Sequence, residues 1–180
     1  MKPRPKAVFI DRDGVLVRDA DYLASTAGLS VFKGSARALK LLREAGFKIV
    51  IVTNQSGVAR GYFTEAAVRE IHAELKRRLA KAGARWDAIY YSPHGPASGH
   101  SWRKPGTGML LAAKRRFGLN LKGSFMIGDK TSDIECARRA GCVPVLVLTG
   151  NAGKDKAYKA KPAAVRRDIL SAARWIIARR

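Results

Sequence analysis

Two aspartates, Asp11 and Asp13, stand one residue apart after the apolar run AVFI (7–10), and Gly14 follows them at once. A third, Asp129, follows the run SFMI (124–127) through Gly128. Three carboxylates brought together repel one another unless a cation neutralises them, and hard oxygen donors with no nearby thiolate select Mg²⁺. Lys104 and the hydroxyl of Thr53 supply what a phosphate needs, since an ammonium and a hydroxyl each engage a phosphoryl oxygen. An aspartate at a strand end can attack phosphorus and form an aspartyl phosphate. A carboxyl two residues on lies on the same side of an extended backbone. There it can protonate the leaving oxygen and then activate water. Gly14 allows the chain to turn sharply away from the bound phosphate.

These residues need a scaffold that brings distant strand ends together. Five short apolar runs read as buried strands: AVFI, KIVIV (48–52), AIYY (88–91), SFMI and VPVLVL (143–148). Helical patterns lie between them. One runs from Ser35, with Ala38, Leu41, Leu42 and Ala45 on one face, and ends at Gly46. The next is capped by Thr64 and carries Val68, Ile71, Leu75 and Leu79 as far as Gly83. A third, GMLLAAKRRFG, stops at Gly118. A fourth, SDIECARRAG, has Ser132 and Glu135 at capping-box spacing and stops at Gly141. The fifth, DILSAARWIIARR, is amphipathic through Ile169, Ala173, Ile176 and Ile177. Strand–helix alternation implies right-handed crossovers and an α/β fold: a three-layer, Rossmann-like parallel sheet with helices on both faces. Ligands of such sheets bind beyond the carboxyl ends of the strands, where these candidate residues stand.

The chain of 180 residues is expected to form a single domain over residues 1–180. It holds no apolar run of membrane-spanning length and no signal-peptide core, so a cytoplasmic location with no membrane partner is expected. Cys136 and Cys142 are too few for a disulfide framework and are expected to be reduced and partly buried. With 35 Lys and Arg against 14 Asp and Glu, the formal net charge is +21. Such a charge raises the question of a nucleic-acid partner. The basic residues are nevertheless spread over every helix, with a richer tail after Gly150, and no aromatic-interleaved basic stripe accompanies them. A solvated basic surface is the preferred reading, and nucleic acid is disfavoured as a partner.

The strings DRDG (11–14), the Thr53 strand end, RKPG (103–106) and GDKTSD (128–133) resemble, in order and spacing, the four motifs of the haloacid dehalogenase-like phosphatases. The resemblance covers residues 6–150. The longer strings VTNQSGVARGYF, YYSPH, RKPGTGML and GDKTSDIE look like the D-glycero-D-manno-heptose-1,7-bisphosphate 7-phosphatases, which share a subgroup with histidinol-phosphatases. The resemblance implies Asp11 as nucleophile and Asp13 as general acid/base. It implies Mg²⁺ on the Asp11 carboxylate, the Asp13 carbonyl and the Asp129 carboxylate, with Thr53 and Lys104 on the transferring phosphoryl group. Arg12, Asp19, Ala20, Asp21, Tyr22, Asn54, Gln55, Ser56, Arg103 and Lys130 match substrate-contacting positions. Asp133 falls at the second acid of the last motif, where it serves either the site or the positive helix N-terminus. Arg60 is weighed between a loop charge and a phosphate contact. The short interval after Thr53 leaves no space for a large cap domain, so recognition falls to the flap at 15–30 and the loop at 92–106.

One departure from the family concerns that second loop. The family often places a structural zinc there, on Cys-x-His and Cys-x-Cys. Here those positions read Ser92-Pro93-His94 and His100-Ser101-Trp102. Two imidazoles do not make the four N or S ligands of a closed site, so structural zinc is expected to be absent and the loop to be held by other contacts, including Trp102 packing. The expected activity is that of a monomeric, Mg²⁺-dependent phosphatase of a small phosphorylated sugar, heptose 1,7-bisphosphate attacked at C7, in surface-glycan synthesis such as that of lipopolysaccharide. The alternatives are histidinol phosphate or another small phosphomonoester, a nucleic-acid 3′-end, and a basic binding protein with a vestigial site.

Overall fold

The computed structural model describes residues 3–180. Its sheet comprises β1 (Ala7–Ile10), β2 (Lys48–Asn54), β3 (Ala88–Ser92), β4 (Phe125–Gly128), β5 (Val143–Val147) and β6 (Ala164–Arg166). The order is β3-β2-β1-β4-β5-β6, and every pairing is parallel. The helices are α1 (Ser35–Glu44), α2 (Glu65–Lys81), α3 (Gly108–Phe117), α4 (Thr131–Ala140) and α5 (Ile169–Ile177).

Alternation along the buried strands divides the core in two. Val8 and Ile10 of β1, Ile49 and Ile51 of β2, and Phe125 and Ile127 of β4 face a cluster closed by α1, α2 and α5. Ala7, Phe9, Val50, Val52 and Met126 face the other way, onto α3 and α4. The result is the expected three-layer α/β sandwich. Only residues 55–64 separate β2 from α2, so no cap domain enters there. No described helix is long and apolar enough to cross a membrane. Cys136 and Cys142 are buried and unpaired.

Two local expectations need correction, and one strand is added. The buried stripe of α1 is Ser35, Ala38, Leu39 and Leu42, with Leu41 and Ala45 only partly buried. Ser35 Oγ donates to the Leu16 carbonyl at 2.8 Å, and this anchor faces the helix one position round from the apolar count. The capping box of α4 does not use Ser132 and Glu135. The helix starts at Thr131, the Asp133 carboxylate accepts the Lys130 N–H at 3.0 Å, and Glu135 pairs with Arg138 and Arg139 instead. The edge strand β6 was not foreseen, because three residues are too short to display alternation.

Candidate active site

The sheet order reverses direction between β1 and β4, the topological switch point where ligands of open α/β sheets bind. Asp11 and Asp129 leave these two strands side by side, and the Asp11 N–H still donates to the Ile127 carbonyl at 3.0 Å. Asp133 joins them from the first turn of α4. One carboxylate oxygen from each of Asp11, Asp129 and Asp133 lies within 4.8 Å of the others, and all three residues are buried. Lys104 answers this charge from the loop after β3. Its Nζ lies 2.9 Å from Asp11 Oδ1 and 2.7 Å from Asp133 Oδ1, and it donates to the Val52 carbonyl at 3.0 Å. Burial opposes the Lys104 charge, but the two acids outweigh it and hold the ammonium protonated.

Asp129 has no such cation in contact among the described residues. The Asn151 N–H donates to its Oδ2 at 2.7 Å, while the buried Oδ1 finds no hydrogen-bond partner among the described residues. Burial, reinforced by Asp11 and Asp133, raises its pKa to about 8. Burial likewise raises Asp11, with Asp133 and Asp13 adding to the effect and Lys104 opposing it. An orphaned carboxylate oxygen among crowded acids fits a hard divalent cation, which would take that lone pair and favour the ionised forms. Gly14 makes the crowding possible. It has a φ of +80°, and a Cβ there would run into the Asp129 carboxylate.

A second cluster surrounds Asp13. Arg12 Nε and Nη2 donate to its Oδ1 at 3.1 and 3.0 Å, and Nη2 also lies 2.9 Å from Oδ2. Gln55 Nε2 donates to Asp13 Oδ2 at 2.9 Å and to Thr53 Oγ1 at 2.8 Å, and Thr53 Oγ1 lies 3.4 Å from Asp13 Oδ2. Arg12 Nη2 also reaches Gln55 Oε1 at 2.9 Å. Arg12 is 1% exposed; it braces Asp13 and also lines a small cavity beside it. Asn54 exchanges two bonds with the Lys104 backbone, donating to its carbonyl at 3.1 Å and accepting its N–H at 3.0 Å, which fastens the 92–106 loop to β2.

Above these clusters lies a cleft of about 580 Å³ lined by Asn54, Ser56, Arg103, Lys104, Lys130 and Ser132. A smaller cavity of about 180 Å³ brings Asp13, Asp19, Asp21, Tyr22, Gln55 and Lys130 together. Lys130 Nζ reaches Asp19 Oδ2 at 3.2 Å, tying the start of α4 to the flap. Ala20, Asp21 and Tyr22 are exposed on the flap, and Asp21 and Tyr22 both hold positive φ, 36° and 72°. Arg60 does not enter either lining; its guanidinium stands 5.8 Å from the Tyr22 ring centroid. The 92–106 loop is held by Trp102 edge-on to Tyr90, by Arg103 Nη1 donating to the His94 carbonyl at 2.9 Å, and by the Asn54 bonds. His94 and His100 stack face to face, with centroids 3.6 Å apart. Spacing did not point to Asn151, or to Asp155, which accepts the Thr131 N–H at 2.9 Å and fixes the start of α4. Both lie in an irregular segment whose residue types carry no periodic or motif signal.

Two family models match the chain: haloacid dehalogenase-like hydrolase over residues 8–80, and HAD-hydrolase-like over residues 101–172. The chain belongs to the haloacid dehalogenase-like hydrolases. Within that family it is 40% identical to the D-glycero-D-manno-heptose-1,7-bisphosphate 7-phosphatase of Thermosynechococcus vestitus, over 97% of this chain and 96% of that protein. It is equally 40% identical to the D-glycero-beta-D-manno-heptose-1,7-bisphosphate 7-phosphatase of Bordetella bronchiseptica, over 89% and 90%. The crystal structure of the B. bronchiseptica D,D-heptose 1,7-bisphosphate phosphatase, complexed with magnesium and phosphate, superposes with a TM-score of 0.88 at 37% identity, covering 97% of this chain and 99% of that one. The corresponding Burkholderia thailandensis structure gives 0.73 at 28% identity, covering 96% and 99%.

Proposed function

We propose that this chain is a Mg²⁺-dependent phosphatase that removes the C7 phosphate of D-glycero-D-manno-heptose 1,7-bisphosphate. The observation that carries the reading is the convergence of Asp11, Asp129, Asp133 and Lys104 at the switch point of a fold shared with relatives of that name. Asp11 attacks phosphorus, the bond from phosphorus to the C7 oxygen breaks, and that oxygen takes a proton from Asp13. Water then adds to the aspartyl phosphate, its proton passes to Asp13, and inorganic phosphate leaves with Asp11 restored. Thr53 and Lys104 hold the phosphoryl oxygens. The Asp11 and Asp129 carboxylates and the Asp13 carbonyl would hold Mg²⁺, with Asp133 beside them. When bound, the ion supplies positive charge to the phosphoryl group. Asp19, Ala20, Asp21, Tyr22, Ser56, Arg103 and Lys130 meet the rest of the substrate at the cleft mouth. Residues 1–180 act as one domain, a reading supported by a single sheet that runs from Ala7 to Arg166.

The test is phosphate release, with Mg²⁺ present, from heptose 1,7-bisphosphate, histidinol phosphate and a 3′-phosphorylated oligonucleotide. The expected result is the highest kcat/KM on the heptose, with heptose 1-phosphate as product. Preference for the oligonucleotide would overturn the substrate assignment and give the +21 charge a direct role.

A further inference from the structure

On the buried face of α2, among Val68, Ile71, Leu75 and Leu79, stands one polar residue, His72. Its Nε2 lies 3.0 Å from Arg12 Nη1. We infer that His72 is a positioning residue for the acid/base step: through Arg12 it fixes the Asp13 carboxyl at the mouth of the site. The inference rests on the phosphatase reading above.

Buried cations must be partnered. The Arg12 guanidinium spends Nε and Nη2 on Asp13 and Gln55, which leaves Nη1 to find an acceptor on the side away from the cleft. A carboxylate there would compete with Asp13 for the guanidinium and could draw it away. A neutral imidazole satisfies Nη1 without adding a competing charge. His72 is kept neutral by burial and then by the Arg12 charge, which lower its pKa to about 3. A neutral ring that accepts at Nε2 carries its proton on Nδ1. Tyr91 packs edge-on against the ring at 5.6 Å, and its hydroxyl donates to Glu65 Oε2 at 2.6 Å. A relay of held groups thus runs from α2 through Arg12 to Asp13, with Gln55 bracing Arg12, Asp13 and Thr53 together. General acids tolerate little misplacement: a shift of about 1 Å costs on the order of a hundredfold.

A proton donor matters most for a poor leaving group, and this separates positioning from packing. The experiment measures kcat/KM of wild type, His72→Leu, His72→Phe and His72→Gln on heptose 1,7-bisphosphate, which expels an alkoxide, and on p-nitrophenyl phosphate, which needs no proton to leave. Leu and Phe keep an apolar fill but offer no acceptor; Gln restores one. Loss of the acceptor is expected to lower kcat/KM on the alkyl ester roughly ten- to a hundredfold. The aryl ester should change by less than about threefold, and His72→Gln should recover most of the alkyl activity. A wild type that releases phosphate from neither ester, or from the aryl ester alone, overturns the proposed reaction itself. With an active wild type, an unchanged Leu variant, equal losses on both esters, or no rescue by Gln overturns only the inference about His72. Failure of both Leu and Phe variants to fold would make the position structural and overturn it as well.

Discussion

At the floor of the site, Asp11, Lys104, Asp129 and Asp133 are buried, with Lys104 paired to Asp11 and Asp133 and the Asp129 carboxylate held by the Asn151 N–H. At its rim, Asp19, Ala20, Asp21 and Tyr22 are exposed, and Asp19 is held by one ion pair to Lys130. The floor is preorganised: its charges are fixed where a phosphoryl group develops charge, so little reorganisation is needed during reaction. The rim is more exposed and less tied down, and in the proposed reading it meets the part of the substrate that does not react. Changes to the floor should therefore strike kcat or the metal, and changes to the rim should strike KM.

The largest effect is expected at Asp11. Asp11→Asn removes the attacking oxyanion while keeping the shape, and should lower kcat by about three orders of magnitude or more. Circular dichroism should show the fold retained. Near-wild-type turnover with Mg²⁺ bound would exclude an aspartyl phosphate.

Metal binding should come next, and its pH dependence follows from the crowded acids. Burial holds Asp129 at about 8 in the metal-free protein, well above an ordinary carboxyl. A group whose folded pKa is raised stabilises the fold fully below its unfolded pKa, and that contribution fades as pH rises through the folded value. The metal-free protein should therefore lose stability between about pH 4 and pH 8, and Mg²⁺ should restore it by replacing the proton. The Tm gain on adding Mg²⁺ should be larger at pH 8 than at pH 5, by about 3 °C for each kcal/mol of added binding energy. Equal gains at both values would show that the acids do not take the ion.

The same division marks how much could be read from residues alone. The floor was legible because strand-end position, residue type and spacing coincide there: an acid after β1, a hydroxyl at the end of β2, an acid after β4. All five strands with strong apolar runs were found, since burial on both faces of a parallel sheet leaves a continuous signal. The part played by Arg12 was not legible. The resemblance implies a substrate-contacting position, while its burial and its bonds to Gln55, just after β2, and to His72, sixty residues away on α2, come only from tertiary packing. The box at the start of α4 was misplaced for a related reason. Asp133 accepts the Lys130 N–H and also pairs with Lys104, and neither partner shows in the Ser132–Glu135 spacing.

At the rim, Tyr22 offers the sharpest test. It is 42% exposed, meets Tyr62 edge-on at 4.8 Å and lies under the Arg60 guanidinium. Tyr22→Ala should raise KM about fivefold, the worth of one aromatic contact of roughly 1 kcal/mol, and leave kcat nearly unchanged. A fall in kcat without a change in KM would place the flap among the reacting groups and erase the distinction between floor and rim.

The smallest effect is expected where relatives of the family place zinc. The 92–106 loop of this chain has Ser92 and Trp102 at positions where thiolates would stand, and its order comes from other sources. Asn54 ties it to β2 through both Lys104 backbone groups, Arg103 closes it on the His94 carbonyl, and Trp102 stacks edge-on against Tyr90. The His100 Nδ1 accepts the Trp102 N–H at 3.2 Å, so that nitrogen serves the turn rather than an ion. Nε2 of His100 and the two nitrogens of His94 would leave zinc half hydrated, and such a site exchanges readily. With Mg²⁺ held constant, a zinc-selective chelator should therefore move Tm by less than about 1 °C, since removing an ion that binds the native state weakly costs little. Protein purified without an affinity tag should carry no stoichiometric zinc by elemental analysis. One tightly held zinc per chain, with a large loss of Tm on chelation, would make this loop a second metal-organised region and show that the Asn54, Arg103 and Trp102 contacts do not by themselves order it.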